Sequence, residues 1–192
     1  MHSEQLDSVV RIMKDFQYPW FISGGWSIDL ALGKVTRQHE DVDICVFREQ
    51  VQGVLDYFFE WEISVAIPGE HRLEPCRNTQ DTLPPRFGLH LRKGDQFIEV
   101  LLTDRIGEKV IFRRDPSIHM SLREFIRTDN QGRQYVAPEW QLLFKSKENR
   151  DKDQQDFKTF IAYSNTRQRR WLLTALKTHN PESRWIAMLE RS

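Results

Sequence analysis

The sequence predicts an α/β (α+β) chain: a mixed sheet with flanking helices, followed by a C-terminal helical region. Three observations predict it. Short apolar runs with strand alternation interleave with helix-period segments up to residue 137. A glycine pair, Gly24-Gly25, separates a short strand from a helix, and a strand with Asp41 and Asp43 follows. From Pro138 onward the apolar spacing is helical throughout. Residues 1–137 are therefore expected to form the domain that carries the acids, and 138–192 a helical region.

The elements follow in order. Ser3 can cap a helix to about Phe16, with Leu6, Val9, Val10 and Met13 on one face. Tyr18–Ile22 reads as a short strand that delivers the chain to Ser23-Gly24-Gly25. A helix from Trp26 to Leu32 stops at Gly33, a favoured residue just past a helix end. Lys34–Glu40 is a loop and Asp41–Phe47 a strand. Arg48–Glu60 reads as a helix with Val51, Val54, Leu55 and Phe58 inward, and Ile63–Ile67 as a strand. Pro68–Arg86, with four prolines and little periodicity, reads as a long loop. Phe87–Lys93 and Gln96–Leu102 flank the tight connection Gly94-Asp95. Lys109–Arg113, Phe125–Thr128 and Arg133–Val136 are further strands. Pro138 suits a first helical turn, and Glu139–Lys147 continues it. Asp151–Tyr163, Arg167–Thr178 and Pro181–Leu189 supply three more helices.

Bulk composition narrows the function. Lys+Arg and Asp+Glu both number 28, so formal charge is zero and nothing favours bulk binding of nucleic acid. No apolar run approaches the ~20 residues that span a bilayer. The polar start, Met-His-Ser-Glu-Gln-Leu-Asp, does not read as a signal peptide. Two cysteines make neither a disulfide framework nor a zinc pattern. A cytoplasmic protein with free thiols, monomer or homodimer, is the expectation.

The acids carry the chemistry. Strand side chains alternate, so Asp41 and Asp43 share one face, roughly 7 Å apart along the backbone, while Val42, Ile44 and Val46 share the other. A divalent cation between them relieves their repulsion, and hard carboxylate oxygens suit Mg²⁺. Glu99 is the lone acid in the apolar strand Phe97-Ile-Glu-Val-Leu-Leu102, where an ionised carboxylate needs a partner or a metal. Cys45 falls on the acids' face without a base beside it. Ser23, Gly24 and Gly25 could present backbone amides to phosphate at the positive end of the following helix, with the Ser27 hydroxyl as one more donor. Asp153 and Asp156, three apart on one helix, could bind a basic acceptor or form salt bridges with Lys152, Arg150 or Lys147, and the structural role is the expectation. Arg167-Gln-Arg-Arg170-Trp171 reads as a solvated helix face, and Trp171 and Trp185 as packing for the tail.

Gly24-Gly25-Trp26, Gly33 and Arg37-x-His39-x-Asp41-x-Asp43 together resemble the nucleotidyltransferase superfamily, in its aminoglycoside 2″-adenylyltransferase and lincosamide nucleotidyltransferase group. Ala137-Pro138-Glu139, Leu142-Leu-Phe-Lys145-Ser-Lys147 and Lys152-Asp153-x-x-Asp156-Phe157 resemble a second block of that group, in the same order. The resemblance implies a polymerase-β-like catalytic domain over 1–137. It implies transfer of a nucleoside monophosphate, AMP from ATP, to a hydroxyl of a small molecule such as an aminoglycoside or lincosamide. Mg²⁺ would be held by Asp41, Asp43 and Glu99. Glu99 would take the catalytic-base position or share the metals; the group usually has aspartate there. Arg37, His39 and one of Lys145 and Lys147 would join Ser23–Gly25 around the nucleotide. A protein or RNA acceptor is an alternative with the same chemistry, and a nucleotide-binding homologue without turnover is another.

Overall fold

The computed structural model describes residues 3–148 and 150–191. Its strands are β1 (Trp20–Ile22), β2 (Asp43–Phe47), β3 (Glu62–Ile67), β4 (Arg72–Pro75), β5 (Gly88–Lys93), β6 (Gln96–Ile106), β7 (Lys109–Ile111), β8 (His119–Ser121), β9 (Ile126–Thr128) and β10 (Gln134–Val136). Its helices are α1 (Glu4–Ile12), α2 (Gly24–Leu32), α3 (Val51–Tyr57), α4 (Leu122–Phe125), α5 (Pro138–Lys145), α6 (Asp151–Tyr163), α7 (Thr166–His179) and α8 (Trp185–Glu190). The expected mixed α/β architecture is present. The sheet runs β4-β3-β5-β6-β2-β1-β10-β9, and β7 and β8 extend it from the far end of β6. The β2–β6 and β1–β10 pairs are parallel and the others antiparallel.

Alternation divides the core into two layers. Ile44, Val46, Ile98, Val100 and Leu102 face one side, with Leu6, Val9 and Met13 of α1, Trp26 and Leu30 of α2, and Val54 of α3. Phe21, Cys45, Phe47 and Val136 face the other, against Trp140 and Leu143 of α5, Phe157 of α6, Leu176 of α7 and Trp185 of α8. Trp185 stacks on Phe157 with centroids 4.2 Å apart, and Trp171 stacks on Trp140 at 5.8 Å. No helix among the described residues is long and apolar enough to cross a membrane.

Several expectations need correction. The first helix ends at Ile12, not Phe16, and Ser3 makes no side-chain cap. The second begins at Gly24, because Gly24 takes a left-handed φ of 61° and turns the chain directly into it; Gly33 ends it with φ 68°. The acidic strand begins at Asp43 and leaves Asp41 just ahead of it. Arg48–Glu60 is a 3-10 turn, Arg48–Gln50, and then the shorter α3. The expected Pro68–Arg86 loop contains β4 and a 3-10 turn, Thr79–Thr82, that Asn78 and Asp81 close as a reciprocal capping box. β8 and α4 were not expected: three and four residues are too few to show a period.

Candidate active site

Parallel pairing of β2 with β6 sets Asp43 opposite Glu99. Asp41 precedes Asp43 by two residues and turns to the same side. One carboxylate oxygen of each acid lies within 4.8 Å of those of the other two. Burial, then the charges of Glu99 and Asp41, push the Asp43 carboxyl up to about 7, against a weaker pull from Lys145. Burial and Asp41 raise Glu99 as well. Nearby His90 is 3.9 Å from Glu99, and its pKa is lowered by burial and then by Arg92. Three hard oxygen donors this close together fit a divalent cation such as Mg²⁺.

The glycine pair is shaped by what abuts it. A methyl group on Gly24 would overlap the Asp43 carboxylate, and one on Gly25 would overlap the Arg37 guanidinium and the His39 ring. Ser23 is fully buried; its amide donates to the Asp43 carbonyl (2.9 Å), and its hydroxyl accepts from Gln141 Nε2 of α5 (2.8 Å). The Ser27 hydroxyl, expected to face phosphate, instead donates to the Gly24 carbonyl (2.9 Å) inside the helix. Trp26 donates its indole N–H to the Asp41 carbonyl (3.0 Å) and lies over the His39 ring, centroids 4.3 Å apart.

The signature cations sit behind the glycines. Arg37 grips Asp156 of α6 with both arms of its fork, at 2.8 and 3.1 Å. His39 Nε2 is 2.6 Å from Asp29 Oδ2, and the other Asp29 oxygen takes the Thr36 amide and hydroxyl. Lys145 Nζ is 3.0 Å from both Asp153 and Asp156, and Arg150 Nε is 2.8 Å from Asp153. The salt-bridge role expected for Asp153 and Asp156 is thus met, with Arg37, Lys145 and Arg150 as partners. Lys147 is exposed in the turn after α5.

Besides a cavity of about 280 Å³ beside Asp41, bounded by Val9, Ile12 and Phe97, two cavities lie near the acids. One, about 180 Å³, lies between the sheet and α5, bounded by Ser23, Cys45, Gln141 and Lys145. The other, about 420 Å³, opens on the Glu99 side, bounded by Ala66, Pro68, Phe87 and Gly88. Leu101, Arg113 and Arg114 line both. Arg113 packs its guanidinium on the rings of Phe87 and Phe144, 4.8 and 5.0 Å from their centroids. Burial, then the neighbouring Arg114, lowers it to about 10. Arg114 donates to the Phe144 carbonyl at 2.9 Å. Gln141, Arg113 and Arg114 were missed from sequence; an arginine pair after a strand reads as solvated, and nothing local marks the rings that enclose it. Cys45 donates to the Thr103 hydroxyl (3.2 Å), and burial pushes its thiol up to about 12, which removes it as a nucleophile at neutral pH.

Comparison with known proteins agrees with the motifs. The family model for aminoglycoside-2''-adenylyltransferase matches residues 5–73. A 2''-aminoglycoside nucleotidyltransferase of Escherichia coli, and one of Klebsiella pneumoniae, are 45% identical over 42 residues, 22% of this chain. The matched stretch spans 23% of the length of those relatives. The solved structure of the lincosamide antibiotic adenylyltransferase LnuA, lincomycin-bound, superposes with a TM-score of 0.59 at 16% identity, over 85% of this chain and 99% of that one. The solution structure of the antibiotic-resistance factor ANT(2'')-Ia gives 0.60 at 14% identity, over 97% and 94%. The chain therefore shares the fold of these solved proteins, and its residues 5–73 match the family model for aminoglycoside-2''-adenylyltransferase.

Proposed function

We propose that this chain is a Mg²⁺-dependent nucleotidyltransferase that moves AMP from ATP onto a hydroxyl of a small molecule and releases pyrophosphate. The observation that carries the reading is the meeting of Asp41, Asp43 and Glu99 from two parallel strands, against a glycine turn at a helix start. An aminoglycoside or lincosamide is the acceptor class to which the relatives' names point. Residues 1–137 act as the catalytic domain; 138–192 close the nucleotide side.

Asp41, Asp43 and Glu99 would hold Mg²⁺, which would supply charge neutralisation to the triphosphate. The amides of Gly24 and Gly25 meet the β- and γ-phosphates at the positive end of α2, while the Ser23 amide, expected to join them, stays on the Asp43 carbonyl. Arg37 and His39 hold that turn from behind, and Lys145 adds positive potential on the α5 side. Glu99 lines the larger cavity, so it accepts the proton of an acceptor hydroxyl placed there. The freed oxygen attacks the α-phosphorus, the bond to the bridging oxygen breaks, and pyrophosphate leaves.

The test is pyrophosphate release from Mg·ATP, with the other nucleoside triphosphates alongside, against aminoglycosides, lincosamides and simple sugars. Release with one acceptor that Asp43→Asn abolishes supports the reading. Mg²⁺-dependent ATP affinity unchanged in both Asp41→Asn and Asp43→Asn would refute it.

A further inference from the structure

The cavity on the Glu99 side has a charge pattern that selects its occupant. Its wall is apolar through Ala66, Pro68, Phe87 and Leu101. Gly88 keeps the approach to Glu99 open: a Cβ there would stand 3.7 Å from Glu99 Oε1. The charged residues lining it are Glu99, Arg113 and Arg114. Nearby carboxylates are already paired, Glu74 with Arg72 and Arg86, and Asp104 with Arg48. Arg113, by contrast, meets aromatic rings and, among the described residues, no carboxylate within ion-pair distance. A planar guanidinium held between rings keeps its fork aimed and is weakly hydrated, the condition in which it grips a carboxylate or phosphate in two places.

Resting on the nucleotidyl-transfer reading, we infer that the acceptor is a hydroxyl compound with an apolar body and an anionic group, held by Arg113 and Arg114 while its hydroxyl reaches Glu99. A polyamine antibiotic would bring cations beside two arginines, with Glu99 already engaged in the reaction. The cavity's size, about 420 Å³, suits a small compound with one ring.

The experiment uses the whole chain with Mg²⁺ and a non-hydrolysable ATP analogue, and calorimetry with probes of one frame. These are 3-hydroxybenzoate, 3-hydroxybenzyl phosphate, 3-hydroxybenzyl alcohol and 3-hydroxybenzylamine, with tobramycin beside them. One or both anionic probes should bind at least about tenfold more tightly than the neutral and cationic ones; which one does tells carboxylate from phosphate. Arg113→Gln should bring that ratio within about threefold, and Arg113→Lys should restore part of it. Arg114→Gln, at an exposed position, gives the same readout should Arg113→Gln melt early. Equal affinity for all probes, none included, or tighter binding of tobramycin, overturns the inference. So does an Arg113→Gln protein that loses the ATP analogue and keeps the ratio, for its guanidinium then serves the triphosphate. Failure of the wild type to bind the analogue counts against nucleotidyl transfer instead, and the anion ratio is then read with Mg²⁺ alone.

Discussion

Two groups of carboxylates lie on either side of Gly24-Gly25, and the protein treats them in opposite ways. Asp153 and Asp156, on α6, are buried and saturated: Lys145, Arg150 and Arg37 all reach them. Burial alone would raise the Asp153 carboxyl, but hydrogen bonds from Arg150 and Lys145 outweigh it and hold it below its usual value. Asp41, Asp43 and Glu99 crowd one another, Lys145 and His90 reach them only weakly, and Asp43 is pushed up. The same residue type therefore acts as a staple where the fold supplies its cations and, in the proposed reaction, as a receptor for a cation from outside. Residues held in so unfavourable an arrangement are where function is expected.

The strongest way to break the comparison is to neutralise one member of each group. Asp43→Asn should lower pyrophosphate release by roughly 10³-fold or more while the chain stays folded, because a ligand to the cation that would neutralise the triphosphate is gone. Near-normal turnover would place the chemistry elsewhere. Asp156→Ala should act on stability: it strands the buried Arg37 and part of the Lys145 pairing, at a cost of about 3–5 kcal/mol in urea unfolding. A loss below 1 kcal/mol would show the network to be as dispensable as a surface pair. Gly24→Ala joins the two effects. A methyl at φ 61° against Asp43 should cost about 1–3 kcal/mol and weaken Mg²⁺-dependent nucleotide binding in calorimetry.

Acidity separates the groups by sign. The raised Asp43 stabilises the metal-free fold at pH below its unfolded value near 4, and that contribution is lost as pH climbs through about 7. The lowered Asp153 stabilises above the unfolded value and is lost as pH falls through its depressed one. Melting of metal-free protein should therefore decline by several degrees from pH 5 to 8. Mg²⁺ should reverse that decline, and Asp43→Asn should remove it. A flat profile, or one that rises with pH, would count against the crowding of the three acids. The smallest expected effect is at Cys45: its buried thiol should resist iodoacetamide at pH 8 until the chain unfolds, as mass spectrometry would report.

Legibility in the sequence followed the range of the interactions. The glycine turn, Gly33, the helix over Asp151–Tyr163 and the Gly94-Asp95 hairpin are set by local chemistry, and their positions could be read directly. Glu99 could be singled out because an acid is anomalous in an apolar strand, but its seat opposite Asp43 depends on a parallel register that no local signal encodes. Arg37 and His39 were legible as signature residues, whereas their partners Asp156 and Asp29 were not; a side chain's choice of ion pair is made by packing. Arg113 and Arg114 lay furthest out of reach. Their significance comes from Phe87 and Phe144, which the fold brings from two separate stretches.

The grip of Arg37 on Asp156 crosses 119 residues of chain, and it bears on how the protein is made. As the polypeptide leaves the ribosome, Asp41 and Asp43 emerge early, their third companion on β6 later, and the buttress behind Gly25 only with α6. A chain arrested before Asp151 would carry all three acids and a glycine turn braced by His39 and Asp29 but not by the Arg37–Asp156 pair. In a series of stalled chains, nucleotide capture should switch on over the stretch of synthesis that releases α6, so the last third of the message sets when the first third becomes competent.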